Sequence, residues 1–394
     1  MPHLVNVMCK EEEYMGNQSL YFEIFGCCIE FGWNALGTLG AHAKGLGAKK
    51  ALIVTDEGVV SIGIPERVSS VLKRAGIESA TFKNVFPNPT DMNVQNGANA
   101  YKAESCDLII GVGGGSPMDA AKGIGVLVSH TGPLHQYFGL KGAEKIINPM
   151  PSLIAIPTTS GTGSETSRGA VITDTDRNTK CLLRSGMPTL ALVDPELTIG
   201  MPPHLTAATG MDAMSHHIEA FLSPQYHPVA EAIAQEGIRL VADSIVAAVG
   251  NRQDRTARTN MAMASTMGSL AFQKGLGVTH SLAHQLSTQY DVHHGVANAI
   301  LLPHTMEFNR AVAEEKLTRI AFAMGEKSPS PEAAIQAIAQ LIERAGLPTK
   351  LSEVNVVEAG IPMMARNAMD DWCHLNNPRP CSEPEMAMLF RKAL

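Results

Sequence analysis

The run Leu108-Ile109-Ile110-Gly111-Val112-Gly113-Gly114-Gly115-Ser116-Pro117-Met118-Asp119-Ala120-Ala121-Lys122 decides the fold of this chain. Leu108 to Val112 is a short apolar strand. The glycines that follow let the backbone turn and approach a ligand closely, and Pro117 marks the first turn of a helix. A strand that empties through glycine into a helix aims free backbone N–H groups and the positive end of the helix dipole at one point, where a pyrophosphate would sit. The same cluster also serves as a plain strand-to-helix turn. Its spacing departs from the common dinucleotide fingerprint, since Gly111-x-Gly113-x-x closes on Ser116 and the strand comes late in its domain.

Outward from this point, residues 50–55, 79–85, 107–112, 152–157 and 189–193 are short β-rich runs that end in glycine or polar turns. Helical stretches at 66–75 and 93–104 separate several of them, the pattern of βαβ units in a mostly parallel sheet. Residues 1–195 are therefore predicted to form an α/β dinucleotide-binding domain. Asp56 ends the run 50–55, where it would accept hydrogen bonds from a ribose and repel a 2′-phosphate, favouring NAD over NADP; it also reads as a turn residue before Glu57-Gly58. Thr158-Thr159-Ser160-Gly161-Thr162-Gly163-Ser164-Glu165 follows the strand at 152–157 and offers hydroxyls at the edge where such sheets bind ligands.

After Asp194-Pro195 the pattern turns helical, with apolar residues at three- and four-residue spacing in 228–249, 257–272, 296–308 and 332–345. Residues 196–394 are predicted to be an all-α domain. It contains Asp212 and His216, four apart and so on one helix face, with His217 rotated away from that face. His280 and His284 repeat the spacing, and His294 follows across a short loop. Three imidazoles and a carboxylate from two helices and a loop are suited to one divalent ion. By ligand type Fe2+, Zn2+, Co2+ and Ni2+ all fit. The stretch His280 to His284 lacks the Glu of a zincin protease, which disfavours metalloproteolysis.

The 394 residues are 45% hydrophobic and 18% charged, with a formal charge of −7 and a pI near 6.1. That is an ordinary globular composition with no basic stripe for nucleic acid. The segment Lys10-Glu11-Glu12-Glu13 and the lack of a long apolar run lead us to expect no membrane span and a cytoplasmic location. Seven cysteines include no C-x-x-C pair. Cys27 and Cys28 lie in an apolar run, where buried strand packing is expected.

Taken together, Pro87-Asn88-Pro89-Thr90, the Gly113 to Ser116 run with Asp119 and Lys122, Gly161-Thr162-Gly163-Ser164-Glu165, Val193-Asp194-Pro195-Glu196-Leu197, Gly210-Met211-Asp212-Ala213-Met214-Ser215-His216, the segment 277–284 and the segment 295–304 resemble the iron-containing (group III) alcohol dehydrogenases. The resemblance runs from about residue 22 to residue 394. It implies catalysis in a cleft between a cofactor domain and a helical metal domain, in a homodimer or higher homo-oligomer. It further implies that Asp212, His216, His280 and His294 hold the metal, which the family makes iron, and that His284 is a proton-relay group beside the nicotinamide. Asp56, Asn88, Gly114, Gly115, Ser116, Asp119, Thr158, Thr159, Lys180 and Leu197 match positions that contact NAD. The chain departs from the usual pattern at His293-His294-Gly295, where Pro-His-Gly is commoner, and in 271–277, which is a residue shorter and carries Lys274.

The expected activity is hydride transfer between NAD(H) and a small primary alcohol or its aldehyde. Arg168, Arg184 and Lys274 permit a second idea, a short anionic aldehyde such as a sulfonated one, although each also reads as an ordinary surface or structural cation. A lyase resembling dehydroquinate synthase shares the two-domain plan but needs a basic phosphate pocket that this sequence lacks. A non-catalytic NAD-binding module is at odds with the full ligand set.

Overall fold

The computed structural model describes residues 26–177 and 179–394. In the first half the strands are β1 (Cys28–Phe31), β2 (Lys50–Val54), β3 (Glu78–Phe82), β4 (Leu108–Gly113), β5 (Ser152–Pro157), β6 (Gly169–Asp174), β7 (Thr179–Arg184) and β8 (Leu190–Val193). Between them lie α1 (Leu39–Gly45), α2 (Glu57–Ser61), α3 (Ile64–Arg74), α4 (Asp91–Ala103), α5 (Gly115–Ser129) and α6 (Gly139–Ala143). The second half is α7 (Pro203–Leu222), α8 (Pro228–Gly250), α9 (Arg255–Ala271), α10 (Val278–Tyr290), α11 (His294–Asn309), α12 (Glu314–Ala323), α13 (Pro331–Arg344), α14 (Ile361–Ala368) and α15 (Glu383–Ala393).

Six strands form one parallel sheet in the order β1-β8-β5-β4-β2-β3. β4 and β8 are buried along their whole length, as central strands covered on both faces must be, and this is why they read as continuous apolar runs. The edge strand β1 differs from expectation: Cys28 is exposed and Cys27 half-buried, because only β8 covers that edge. The antiparallel pair β6–β7 lay outside the predicted strands. Its alternation of buried and half-exposed residues in β6 is weak beside the long apolar runs, and it forms a separate ribbon next to the sheet. Cys9 and the charged run 10–13 lie outside the described residues.

The β2, β4 and β5 chains all end on one edge of the sheet, so Asp56, Gly114 and Thr158 share that edge. There the loop after β5 presses on the helical half. A Cβ on Gly161 would lie 2.5 Å from the Thr209 carbonyl oxygen on α7, and one on Gly163, at φ +61°, would lie 2.7 Å from the Ser265 carbonyl oxygen on α9. Only glycine permits both approaches. Thr266 Oγ1 donates to Glu165 (2.8 Å) and Thr166 Oγ1 to the Thr266 carbonyl (3.2 Å), which fastens the seam. Among the described residues no helix is long and apolar enough to cross a membrane.

Candidate active site

A cleft of about 2200 Å³ lies between the two halves, and its wall includes Asp56, Asn88, Gly114, Gly115, Ser116, Asp119, Thr158, Thr159, Lys180, Asp212, His216, His280, His284 and His294. Leu197 stands apart: it is buried in the core packed on the sheet and is not part of the cleft wall.

At the deep end, α7 brings Asp212 and His216 to one face, α10 brings His280 and His284, and His294 is the first residue of α11 rather than a loop residue. The start of α11 sits hard against α7, since a Cβ on Gly295 would fall 2.0 Å from the Ala208 carbonyl oxygen. That contact puts His294 beside Asp212. The Nε2 atoms of His294, His216 and His280 lie 3.5, 3.7 and 3.9 Å from Asp212 Oδ1. These gaps exceed a hydrogen bond and approach the roughly 3.3 Å expected between two donors on one ion at about 2.0–2.1 Å. Asp212, His280 and His294 form the tightest subset, and His216 stacks on His280 with centroids 4.9 Å apart.

The donor chemistry fits a divalent cation. Burial pushes His216 down to about 4 and His294 well below the ordinary imidazole value, so both rings are neutral and keep lone pairs. Burial alone would lower His280 as well, but the Glu219 carboxylate at its Nδ1 outweighs that and raises it. Glu219 also accepts from the Thr279 backbone N–H at 2.7 Å. An outer carboxylate that orients a ring so that its far nitrogen faces the ion is the usual partner of a metal-bound histidine. Asn298 directs its amide nitrogen to Asp212 Oδ1 at 2.8 Å. His217 turns the other way, to the Ala264 carbonyl at 2.8 Å on α9, and burial lowers it to about 4.

His284 is held differently. Its Nδ1 bonds Asp371 Oδ2 at 2.7 Å, and Asp371 Oδ1 accepts from Ser281 Oγ (2.7 Å) and the Cys373 N–H (2.8 Å). Desolvation works against ionised Asp371, yet His284 and these donors hold its carboxyl well below the usual range. Sequence reasoning missed both Glu219 and Asp371. Glu219 had a signal, since 212, 216 and 219 are i, i+4 and i+7 on one helix. Asp371 had none, being 87 residues from its partner.

Toward the sheet, Gly114 precedes α5 and Gly115 opens it. A Cβ on Gly114 would meet Thr159 Oγ1 at 3.4 Å, and that hydroxyl is buried without a partner. A glycine cradle, the start of a helix and an unpaired buried hydroxyl suit a phosphate. Asn88 takes φ +54° in its loop. Asp56 caps α2 by accepting from Val59 N–H at 2.9 Å, so its turn role is realised while it also faces the cleft. Asp119 spends both oxygens inside the protein, on Ser164 Oγ (2.6 Å) and Val171 N–H (2.8 Å). Buried Lys122 bonds Ser164 and the Gly169 carbonyl, each at 2.7 Å. Lys180 on β7 has its pKa pushed down to about 8 by burial, against the pull of Asp212 and Asp371.

Lys274 does not face the cleft. It is fully buried and donates to the Ser223 carbonyl and to Glu231, both at 2.6 Å, so it caps the C-terminus of α7 and cannot meet an anionic substrate. Arg168 and Arg184 do line the cleft. Arg184 pairs with Gly169 at the far end of the ribbon, about 13 Å of strand from Lys180.

Residues 28–195 match the family model for iron-containing alcohol dehydrogenase, and residues 206–394 match the C-terminal model of the same family. The chain belongs to the iron-containing alcohol dehydrogenase family. Like other iron-containing alcohol dehydrogenases it is an oxidoreductase acting on CH–OH groups. It is 43% identical over 374 residues to 1,3-propanediol dehydrogenase of Klebsiella pneumoniae, covering 92% of this chain and 96% of that one. Its structure resembles that of a 1,3-propanediol oxidoreductase with a TM-score of 0.92 at 42% identity, over 95% of this chain and 100% of the other. Sulfoacetaldehyde reductase from Bifidobacterium kashiwanohense, solved in complex with NAD+, gives a TM-score of 0.87 at 27% identity, over 95% and 99% of the two chains. Membership in this alcohol dehydrogenase family disfavours the dehydroquinate synthase alternative.

Proposed function

We propose that this alcohol dehydrogenase exchanges hydride between NAD(H) and a small neutral primary alcohol or its aldehyde, with one divalent ion held by Asp212, His216, His280 and His294. The observation that carries this reading is the convergence of those four side chains at the deep end of the cleft whose other wall is the glycine cradle at Gly114 and Gly115. A bound ion supplies Lewis-acid polarisation of the substrate oxygen, and NAD(H) supplies the hydride exchange. The chain does the rest. Residues 1–195 bind and orient the cofactor, with Asp56 toward the ribose and Thr158 and Thr159 beside the phosphates. Residues 196–394 hold the ion and place His284, whose Nε2 exchanges the hydroxyl proton with solvent or the cofactor ribose. Phe272, Leu276, Val292 and Trp372 give the substrate end an apolar wall.

Iron is the ion the family suggests. The homo-oligomer expected from the sequence belongs to the same reading and is tested by light scattering. The alternative substrate, a short anionic aldehyde, has the likeness to sulfoacetaldehyde reductase in its favour. Against it stands the burial of Lys274, whose ammonium is already held by the Ser223 carbonyl and Glu231. The test is a panel of neutral and sulfonated C1–C4 aldehydes assayed with NADH after loading the protein separately with Fe2+, Zn2+, Co2+ and Ni2+. Faster NADH oxidation with neutral aldehydes is expected. Preference for the sulfonated ones reverses the substrate assignment, and no turnover with any pair defeats the reading.

A further inference from the structure

The contacts of Asp371 form a directional chain. The His374 backbone N–H donates to Ser281 Oγ at 2.8 Å, so the Ser281 hydroxyl is left to donate onward to Asp371 Oδ1 at 2.7 Å. The Cys373 N–H donates to that same oxygen at 2.8 Å. Oδ1 thus faces two donors, and Oδ2 is left for His284 Nδ1 at 2.7 Å. All these bonds are buried, His294 stacks against the His284 ring at 5.3 Å, and Trp372 leans on it at 5.6 Å.

We propose that Asp371 is a positioning residue that fixes the tautomer of His284, keeping the proton on Nδ1 and the lone pair of Nε2 toward the cleft. An ionised carboxylate can only accept, so Nδ1 must donate to it. The ring cannot turn to exchange its nitrogens while it is clamped between His294 and Trp372. The assignment rests on the role proposed for His284, and it makes a specific claim about an isosteric change. In Asp371→Asn the two donors at Oδ1 hold the amide oxygen there, which turns the NH2 group toward His284. Nδ1 must then accept, the proton moves to Nε2, and the nitrogen that faces the cleft no longer offers a lone pair. The shape is unchanged.

The experiment compares wild type, Asp371→Asn, Asp371→Ala, His284→Ala and the double variant Asp371→Asn/His284→Ala for kcat of alcohol oxidation, KM for NAD+, metal per chain and melting temperature. Asp371→Asn should lose roughly 100-fold or more in kcat, within the range for general acid–base groups, while metal content and KM stay within about twofold of wild type. Asp371→Ala removes the acceptor without enforcing the wrong tautomer and should lose less. The double variant should be no slower than His284→Ala alone, because the two residues act through one ring. Near-normal kcat in Asp371→Asn, or a loss that multiplies with that of His284→Ala, overturns the proposal. Normal turnover in His284→Ala would instead remove the proton role of His284 itself, and the assignment with it. If Asp371→Asn does not fold, Asp371→Ala, His284→Ala and their double variant give the same coupling test, where multiplying losses again overturn the proposal.

Discussion

Gly295→Ala should disable the metal site without touching a ligand. The added methyl carbon would lie 2.0 Å from the Ala208 carbonyl oxygen, where ordinary contact begins at 3.4 Å. The obstacle is backbone in the second turn of α7, so the strain is relieved only by moving the start of α11 outward by about 1.4 Å, several times the roughly 0.2 Å tolerance of a metal–ligand bond. His294 is the neighbouring residue and moves with it. Its Nε2 would leave the 3.5 Å approach to Asp212, and the site would fall to two imidazoles and a carboxylate. Overpacking of this kind costs about 1–3 kcal/mol, small enough for the domain to remain folded. Metal per chain by inductively coupled plasma mass spectrometry, melting with and without added metal, and kcat should show lost metal, a melting temperature no longer raised by metal, and loss of activity. Full occupancy with normal turnover would refute the reasoning, since it would mean that α11 can yield without carrying His294.

His280→Ala and Asp212→Ala should each lower bound metal and activity together while far-ultraviolet circular dichroism stays native. Retained metal with normal turnover in either removes that residue from the ligand set. His284→Ala should keep its metal yet lose about 10²–10⁴-fold in kcat with a changed pH profile; metal loss matching that of His280→Ala would make it a ligand. NADH should be preferred to NADPH because the Asp56 carboxylate, in the role proposed for it at the ribose, would repel a 2′-phosphate, and equal kcat/KM for the two would contradict this. Burial lowers Lys180 to about 8, so its ammonium charge is present below that pH and lost above it. The value of kcat/KM for NADH should bend down as pH rises through 8, and an unshifted bend in Lys180→Arg would clear Lys180 of responsibility.

The parts of the molecule legible in the sequence are those whose signals are local. Buried parallel strands such as β4 announce themselves as apolar runs, and Asp212 and His216 share a face because helical spacing dictates it. The ribbon β6–β7 escaped because it is half exposed and lacks such a run. For Lys274 the sequence left a substrate contact and an ordinary structural cation both open, and the structure shows the latter: its partners include carbonyls at a helix end 51 and 53 residues away, and composition cannot show that a charge is already satisfied. Asp371 escaped for the same reason: a histidine's second nitrogen finds its acceptor through tertiary packing, which leaves no trace in spacing. Membership of the family could be read from ordered motifs, whereas the orientation of each ring could not.

The glycine mortise at Gly161 and Gly163 has a consequence for how such an enzyme can move. The hydroxyls of Thr158 and Thr159 stand only a few residues before the point where the same loop is locked into α7, the helix that carries Asp212 and His216. Any relative movement of the two halves would therefore have to pivot near this loop, and would be largest at the outer rim around Phe86 and Ile147, both well exposed. The reacting end would then act as the rivet of a pair of scissors, its separation set by the packed glycines however the blades are placed.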